Sequence, residues 1–282
     1  MEFEQYLKQE LAPSTAKRYQ REIDLFFLSI ENPITADYNQ ILDYIEVLRT
    51  KTKNIACSLS AIKRYYTYLN HTKQRKYNPA KSIKLRDKIS RDIQLQDLFT
   101  TKELSQLLER KERYVILKNR NKITTSLLIY QGLKSGEIAN LELKDIDLEK
   151  GTIYIKAGNK SNSRTLKLQS KQVFWIMKYL QEDRPILLKS ESNKLLIGNS
   201  GIPLQIESIS YLIEVKKPLF PTRNLNPKTI RQSVISNLLK DKKDLRLVQV
   251  FAGHKTPSTT EKYKQTEVEE LKNQILKYHP LQ

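Results

Sequence analysis

The sequence predicts a mainly α-helical protein of two domains, the second carrying one small β-hairpin. Three observations predict this. Apolar residues recur at helical spacing through the first third of the chain, and that periodicity is lost across a basic stretch from Lys73 to Arg91. Strict alternation of apolar and polar residues then appears near residue 152. At 282 residues and 39% hydrophobic content, the chain can pack a core in each of two domains.

The first helix with a clear start runs over residues 14–30, where Ser14 and Thr15 can cap it and Tyr19, Ile23, Phe26, Phe27 and Ile30 form its apolar stripe. A second amphipathic stretch carries Ile41, Tyr44, Ile45 and Leu48. A third, from about Asn54 to Leu69, carries Ile55, Leu59, Ile62, Tyr65, Tyr66 and Leu69. From Lys73 to Arg91, the cations Lys73, Arg75, Lys76, Lys81, Lys84, Arg86, Lys88 and Arg91 face a single acid, Asp87, and Pro79 interrupts. This reads as a basic interdomain linker, which places domain boundaries at residues 1–90 and 91–282. It is either a solvated connector or a strap along phosphates, with Lys81, Lys84, Arg86 and Lys88 as the candidate contacts.

The second domain opens near Phe99, where Thr100 or Thr101 can cap a helix and Glu103 sits at the capping-box position. Helices are expected at about 101–111 and 119–131. Thr152-Ile153-Tyr154-Ile155-Lys156 alternates, and Arg164-Thr165-Leu166-Lys167-Leu168 follows a polar turn from Ala157 to Ser163. The two form a hairpin with a basic tip. The acidic runs Asp145-Ile146-Asp147 and Glu267-Val268-Glu269-Glu270 read as surface positions. The rest is mostly helical, and Val268, Leu271, Ile275 and Tyr278 place an apolar stripe on the C-terminal tail.

The formal net charge is +19, which favours a polyanionic partner: nucleic acid first, an anionic membrane second. No apolar run is long enough to span a bilayer, and the acidic start Met1-Glu2-Phe3-Glu4-Gln5 is unlike a signal peptide, so an intracellular protein is expected. Cys57 is the single cysteine, which leaves no internal disulfide and no cysteine-based metal site. His71, His254 and His279 are too dispersed for a zinc site. No metal and no cofactor are expected.

Two segments carry candidate chemistry. Asn226-Pro227-Lys228-Thr229-Ile230-Arg231 has the form of a helix start, with Asn226 as cap and Pro227 at the first position. Lys228 and Arg231 then share a face near free backbone N–H groups, a suitable place for a phosphate. Downstream, a helix should end at Gly253, with His254 next and Tyr263 nine residues after it. A hydroxyl nucleophile amid fixed positive charge suits attack on a phosphodiester.

These segments resemble the tyrosine recombinase family of phage-integrase and Xer-like enzymes. Gln131-Gly132-Leu133-Lys134-Ser135-Gly136-Glu137-Ile138 resembles the family's first motif, and Gly158-Asn159-Lys160 its lysine-bearing hairpin. Pro227-Lys228-Thr229-Ile230-Arg231 resembles its His-x-x-Arg motif, and Gly253-His254 through Tyr263 its Gly-His motif and nucleophile. Tyr65-Tyr66-Thr67-Tyr68-Leu69 and Asn78-Pro79-Ala80 resemble its N-terminal core-binding domain and the exit from it. Lys134 stands where the family has its first arginine, and Lys228 where it usually has histidine, so each position keeps its charge without the original geometry.

The resemblance implies a two-domain DNA clamp, with a helical core-binding domain and an α-rich catalytic domain. It implies a site-specific recombinase that cuts and rejoins duplex DNA at an inverted-repeat core site. Tyr263 forms a 3′-phosphotyrosyl link, and exchange proceeds through a Holliday junction in an Xer-like or a transposon resolvase or integrase role. It implies that Lys134 and Arg231 hold nonbridging oxygens, that Lys228 assists, that His254 hydrogen-bonds the phosphate, and that Lys160, or its competitor Lys156, protonates the leaving oxygen. Glu137 is expected to orient Lys134 or to cap a helix. It further implies a homotetramer built by exchange of the C-terminal helix, acting at the bacterial nucleoid. A catalytically impaired DNA-binding relative and a strand-relaxing enzyme of the type IB topoisomerase kind are the rival readings.

Overall fold

A computed structural model describes residues 2–51, 55–85, 93–110 and 112–264. The chain divides into two compact units, Met1–Ser90 and Arg91–Gln282. It is mainly helical with one small sheet. Arg86, Lys88 and the tail bearing Val268, Leu271, Ile275 and Tyr278 lie outside the described residues. Among the described residues no helix is long and apolar enough to cross a membrane.

The first unit contains α1 (Phe3–Glu10), α2 (Pro13–Ser29), α3 (Tyr38–Lys51) and α4 (Ile55–His71). The stripes read from the sequence meet here: Ile23 and Phe26 of α2, Ile41 and Ile45 of α3, and Leu59, Ile62, Tyr66 and Leu69 of α4 are buried together. Tyr66 buries its ring and donates its hydroxyl to the Pro33 carbonyl at 2.7 Å, as a buried tyrosine must find a partner. Phe27 departs from the expected stripe and is 42% exposed, resting edge-on against Tyr65.

The stretch expected to be a linker is anchored where it is described. Asn78 donates to the Lys63 carbonyl at 2.9 Å and accepts from the Ala80 N–H at 3.0 Å. Ala80 and Ile83 are buried in the first unit's core, while Lys81 and Lys84 between and after them are exposed. Loss of helical period here marks an irregular, pinned segment, because two short apolar side chains suffice to hold it.

In the second unit, α5 (Thr101–Gln106) begins with the expected capping box between Thr100 and Glu103. It ends sooner than expected, since the N–H groups of Leu107, Leu108 and Glu109 turn to carbonyls three residues back. The central α6 (Lys118–Tyr130) is buried nearly all round and leads into α7 (Ser135–Asn140). Next come β1 (Ile146–Asp147), β2 (Thr152–Ile155) and β3 (Arg164–Lys167), an antiparallel sheet in that order, with Ile153 opposite Leu166 and Ile155 opposite Arg164. Of the Asp145-Ile146-Asp147 run, expected at the surface, Asp147 is partly exposed and forms β1 with Ile146, but Asp145 is buried, accepting the Glu142 N–H at 2.9 Å. The helices α8 (Ser170–Lys178), α9 (Arg184–Leu187), α10 (Ile206–Glu214), α11 (Pro227–Lys240), α12 (Leu245–Ala252) and α13 (Pro257–Glu261) complete the unit.

Candidate active site

The site forms where three turns converge. Gly132, in the left-handed region at φ +58°, lets the chain turn from α6 toward α7, and the buried Leu133 fixes that turn. Lys134 follows at the N-cap of α7 and is half-buried. Its backbone N–H donates to Glu137 Oε2 at 2.9 Å.

Glu137 has a second partner. Arg164, at the start of β3, grips it with a two-pronged contact, Nη1 to Oε1 at 3.0 Å and Nη2 to Oε2 at 2.9 Å. The side chains are only 2% and 9% exposed, so this is a buried pair. Burial would raise the Glu137 carboxyl, but the Arg164 fork and the Lys134 N–H hold it below the usual carboxylate range.

Asn226 caps α11 as its sequence indicates, accepting the N–H groups of Lys228 at 2.9 Å and Thr229 at 3.0 Å. Arg231 enters the interior one turn later. Its Nη1 donates to the Gly132 carbonyl at 2.5 Å, and its Nη2 donates to the Ala252 carbonyl at 2.6 Å and lies 3.2 Å from His254 Nε2. One guanidinium thereby ties the first turn, the end of α12 and the histidine together, because its donors fan out in a fixed plane.

Gly253 ends α12 in the left-handed conformation, and the His254 N–H reaches back to the Gln249 carbonyl at 3.1 Å. Only glycine fits here: a Cβ would meet Arg164 Nη1 at 2.6 Å. The hairpin docks on the same turn, with the Asn162 N–H donating to the Gly253 carbonyl at 2.9 Å and Ser161 bridging His254. His254 is buried, and its Nδ1 lies 2.9 Å from Thr260 Oγ1. Tyr263 stacks beside His254, ring centroids 6.2 Å apart, and packs against Ile235, Leu239, Val248 and Ala252.

Electrostatics follow from this crowding of cations. Burial lowers the Lys134 pKa, and Arg231 lowers it further against the pull of Glu137. Burial, then Arg231, Lys134 and Arg164, push His254 down to about 4. Burial raises the Tyr263 hydroxyl, and the Arg231 charge works against that.

The structure therefore brings Lys134, Arg231, His254 and Tyr263 together. Lys160 sits exposed on the hairpin tip beside a cleft of about 420 Å³ that Lys134 also lines, and its charge is felt at Lys134. Lys156 lines the same cleft, but its ammonium lies 2.6 Å from Glu142 and 3.6 Å from Asp145, which raises its pKa. Lys228 stays exposed on the first turn of α11, and among the described residues its side chain has no ion-pair partner. Lys81 and Lys84 are exposed on the first unit. No group of three His, Cys, Asp or Glu side chains among the described residues is placed to hold a metal ion.

Arg164 and Thr260 do not stand out in the sequence. The period-2 pattern of β3 carries a signal for Arg164, because it lies in phase with the buried Leu166 and Leu168. A charge on the buried face of a strand needs a partner.

The sequence matches the phage integrase family model over residues 97–270, most of the second unit. The chain belongs to the phage integrase family. It is 27% identical to tyrosine recombinase XerD of Staphylococcus saprophyticus, over 98% of each chain. It is 26% identical to tyrosine recombinase XerC of Lacticaseibacillus casei, over 99% of this chain and 97% of the relative. Among solved structures it shares the fold of the XerH site-specific recombinase bound to a palindromic difH substrate in a post-cleavage complex. There the TM-score is 0.66 at 20% identity, over 85% of this chain and 71% of that one.

Proposed function

We propose that this family member is a site-specific DNA recombinase that cuts and rejoins strands through Tyr263. The observation that carries the reading is the buried Arg231, which ties Gly132, Ala252 and His254 together with Tyr263 stacked on the histidine. A buried cation among further cations is poised for an anion, and a phosphodiester supplies one. The tyrosine recombinases named above support the same reading.

In the proposed reaction the Tyr263 oxygen attacks the scissile phosphorus. The bond to the 5′-oxygen breaks, a 3′-phosphotyrosyl ester forms, and a 5′-hydroxyl leaves. Arg231 and Lys134 stabilise the charge that develops on the nonbridging oxygens, His254 hydrogen-bonds the phosphate, and Lys228 assists from the rim. The tyrosine proton passes to solvent or to a neighbouring base, and Lys160 donates a proton to the departing oxygen. Lys160 is favoured over Lys156 because an acid works best with a pKa near ambient pH, and the carboxylates beside Lys156 push the other way. Attack by a 5′-hydroxyl from a second duplex reverses the step and exchanges strands.

The substrate is duplex DNA with an inverted-repeat core site, contacted in part through Lys81 and Lys84. The first unit serves as the core-binding domain and the second as the catalytic domain. Four copies assemble on two sites, joined by exchange of the C-terminal tail, and pass through a Holliday junction in the cytoplasm at the nucleoid. An Xer-like, resolvase or mobile-element role is compatible with this chemistry.

A duplex nicked beside the cleavage position tests the reading, because loss of the short 5′ fragment traps the covalent complex. The wild type should form an adduct that maps to Tyr263 and survives EDTA. Tyr263→Phe should bind the same DNA with similar affinity and form none. An adduct on another tyrosine, or one that persists in the phenylalanine variant, would remove Tyr263 from the chemistry.

A further inference from the structure

The hairpin that carries Lys160 is held down at one foot. Arg164 is the first residue of β3, four positions after Lys160, and pairs with Ile155 across the sheet. Its side chain leaves the hairpin. Nη1 donates to Glu137 Oε1 at 3.0 Å and Nη2 to Oε2 at 2.9 Å, and Glu137 belongs to α7, the helix at whose N-cap Lys134 stands. Among the described residues the buried Nε of Arg164 has no partner, so Glu137 alone sets the plane of the guanidinium. The same guanidinium lies against the backbone of Gly253, where a Cβ would come within 2.6 Å of Nη1.

The hairpin's other contacts with the site run along the chain from Arg164 toward Lys160. The Asn162 N–H donates to the Gly253 carbonyl at 2.9 Å, Ser161 bridges His254, and the Ser161 carbonyl accepts the Gly158 N–H at 2.9 Å. Lys160 sits inside that last turn, exposed, on the cleft that Lys134 also lines. These are neutral backbone bonds. The Arg164–Glu137 pair is two charge-assisted bonds between side chains only 2% and 9% exposed, so it is the strongest tie between the hairpin and the rest of the site.

We propose that Arg164 is a positioning residue for strand cleavage: its fork on Glu137 latches the hairpin to the start of α7 and so holds the Lys160 ammonium at the departing 5′-oxygen. A fork fixes an angle as well as a distance, which a single bond does not. The start of β3 is thereby set relative to α7, and the tip four residues away is set with it. Such placement matters, because about 1 Å of error in a reacting group can cost about 100-fold in rate. The inference rests on the recombinase reading, and on Lys160 as the acid within it.

A DNA substrate with sulfur in place of the bridging 5′-oxygen separates this role from others. When Tyr263 attacks ordinary DNA, the bond from phosphorus to the 5′-oxygen breaks and Lys160 gives that oxygen a proton. In the sulfur substrate the bond from phosphorus to sulfur breaks, and the thiolate leaves without a proton, since a thiol with a pKa of about 8.5 needs none. Lys160→Ala should therefore be slow on ordinary DNA and close to the wild type on the sulfur substrate. Arg164→Lys keeps the charge and gives up the fork. It should slow single-turnover cleavage of ordinary DNA by about 10–100-fold, yet cleave the sulfur substrate within about threefold of the wild-type rate. Adding Arg164→Lys to Lys160→Ala should cause no further slowing, because a residue that acts through the lysine has nothing left to place. An Arg164→Lys variant equally slow on both substrates would overturn the inference, since it would then act on the phosphate or on the fold. So would one that cleaves ordinary DNA at the wild-type rate. If Arg164→Lys does not fold, Glu137→Asp takes its place, which draws the carboxylate back by one methylene and keeps its charge, and the same pattern is required of it. A Lys160→Ala variant equally slow on both substrates would sink Lys160 as the acid and this inference with it, while an adduct on Tyr263 would still stand.

Discussion

The start of α7 and the start of α11 carry the same side chain in almost the same place. Lys134 occupies the N-cap position of α7, and Lys228 is the second helical residue of α11. Both stand where the resemblance implies a different cationic or ring side chain, yet their surroundings differ. Lys134 is half-buried, with its neighbour Glu137 locked to Arg164 and with the charges of Arg231, Arg164 and Lys160 acting on it. Lys228 stands in solvent. Equal charge near equal helix ends does not make equal sites. A lysine in a partly desolvated turn is screened less from an anion brought to it, whereas one in water is screened within a Debye length, about 8 Å at physiological salt.

The difference depends on the pair beneath Lys134, so breaking that pair is the strongest test. Arg164→Met should strand the Glu137 carboxylate in a buried position and destabilise the second unit by about 3–5 kcal/mol in denaturant unfolding. Adding Glu137→Gln should recover part of the loss by removing the orphan charge. A change under about 1 kcal/mol for Arg164→Met would mean that water reaches the pair, and Lys134 would then be no better insulated than Lys228.

Next in size is the contrast between the two lysines themselves. Lys134→Ala should lower the single-turnover cleavage rate by about 10²–10³-fold, the usual cost of one preorganised donor to a developing charge, with DNA affinity nearly unchanged. Lys228→Ala should cost no more than about fivefold, in keeping with the small worth of an exposed charge. Lys134→Arg should keep or raise the rate, because a fork can hold two oxygens. Equal losses at both positions would show that Lys228 moves into the site when DNA binds, and that exposure in the free protein does not report its role.

Those contrasts are only partly legible in the sequence. The caps at Thr100 and Asn226, the hairpin and the end of α12 at Gly253 depend on short-range rules, and they stand where the residues place them. The convergence of Gly132, Arg231 and His254 is reached only through the family's motif order, since the Arg231 bond to Gly132 spans 99 positions. Arg164 escapes notice because a charge near a hairpin turn reads as solvated unless strand alternation is followed to its first residue. Thr260 lies among three other hydroxyl residues, Thr256, Ser258 and Thr259, and nothing local separates the one that turns inward. The anchoring of Ala80 and Ile83 is hidden too, because two apolar residues in an irregular segment make no period.

The smallest effect belongs to the lysines most like Lys228. Lys81 and Lys84 are exposed on a segment pinned by Ala80 and Ile83, so they project from fixed backbone without entering a core. Each can neutralise a phosphate and release a counterion. The double variant Lys81→Ala/Lys84→Ala should therefore flatten the log–log dependence of DNA affinity on salt by about 0.9 for each phosphate left without its lysine, up to about 2 in all. At saturating DNA its cleavage rate should equal that of the wild type. Lys134→Ala should behave in the opposite way, with the salt slope kept and the rate reduced. A Lys81/Lys84 variant that leaves the slope unchanged would take this segment off the DNA. One that slows chemistry at saturation would show that an exposed lysine on the first unit reaches the reacting phosphate, and the division between second-unit cations that set rate and first-unit lysines that set affinity would fail.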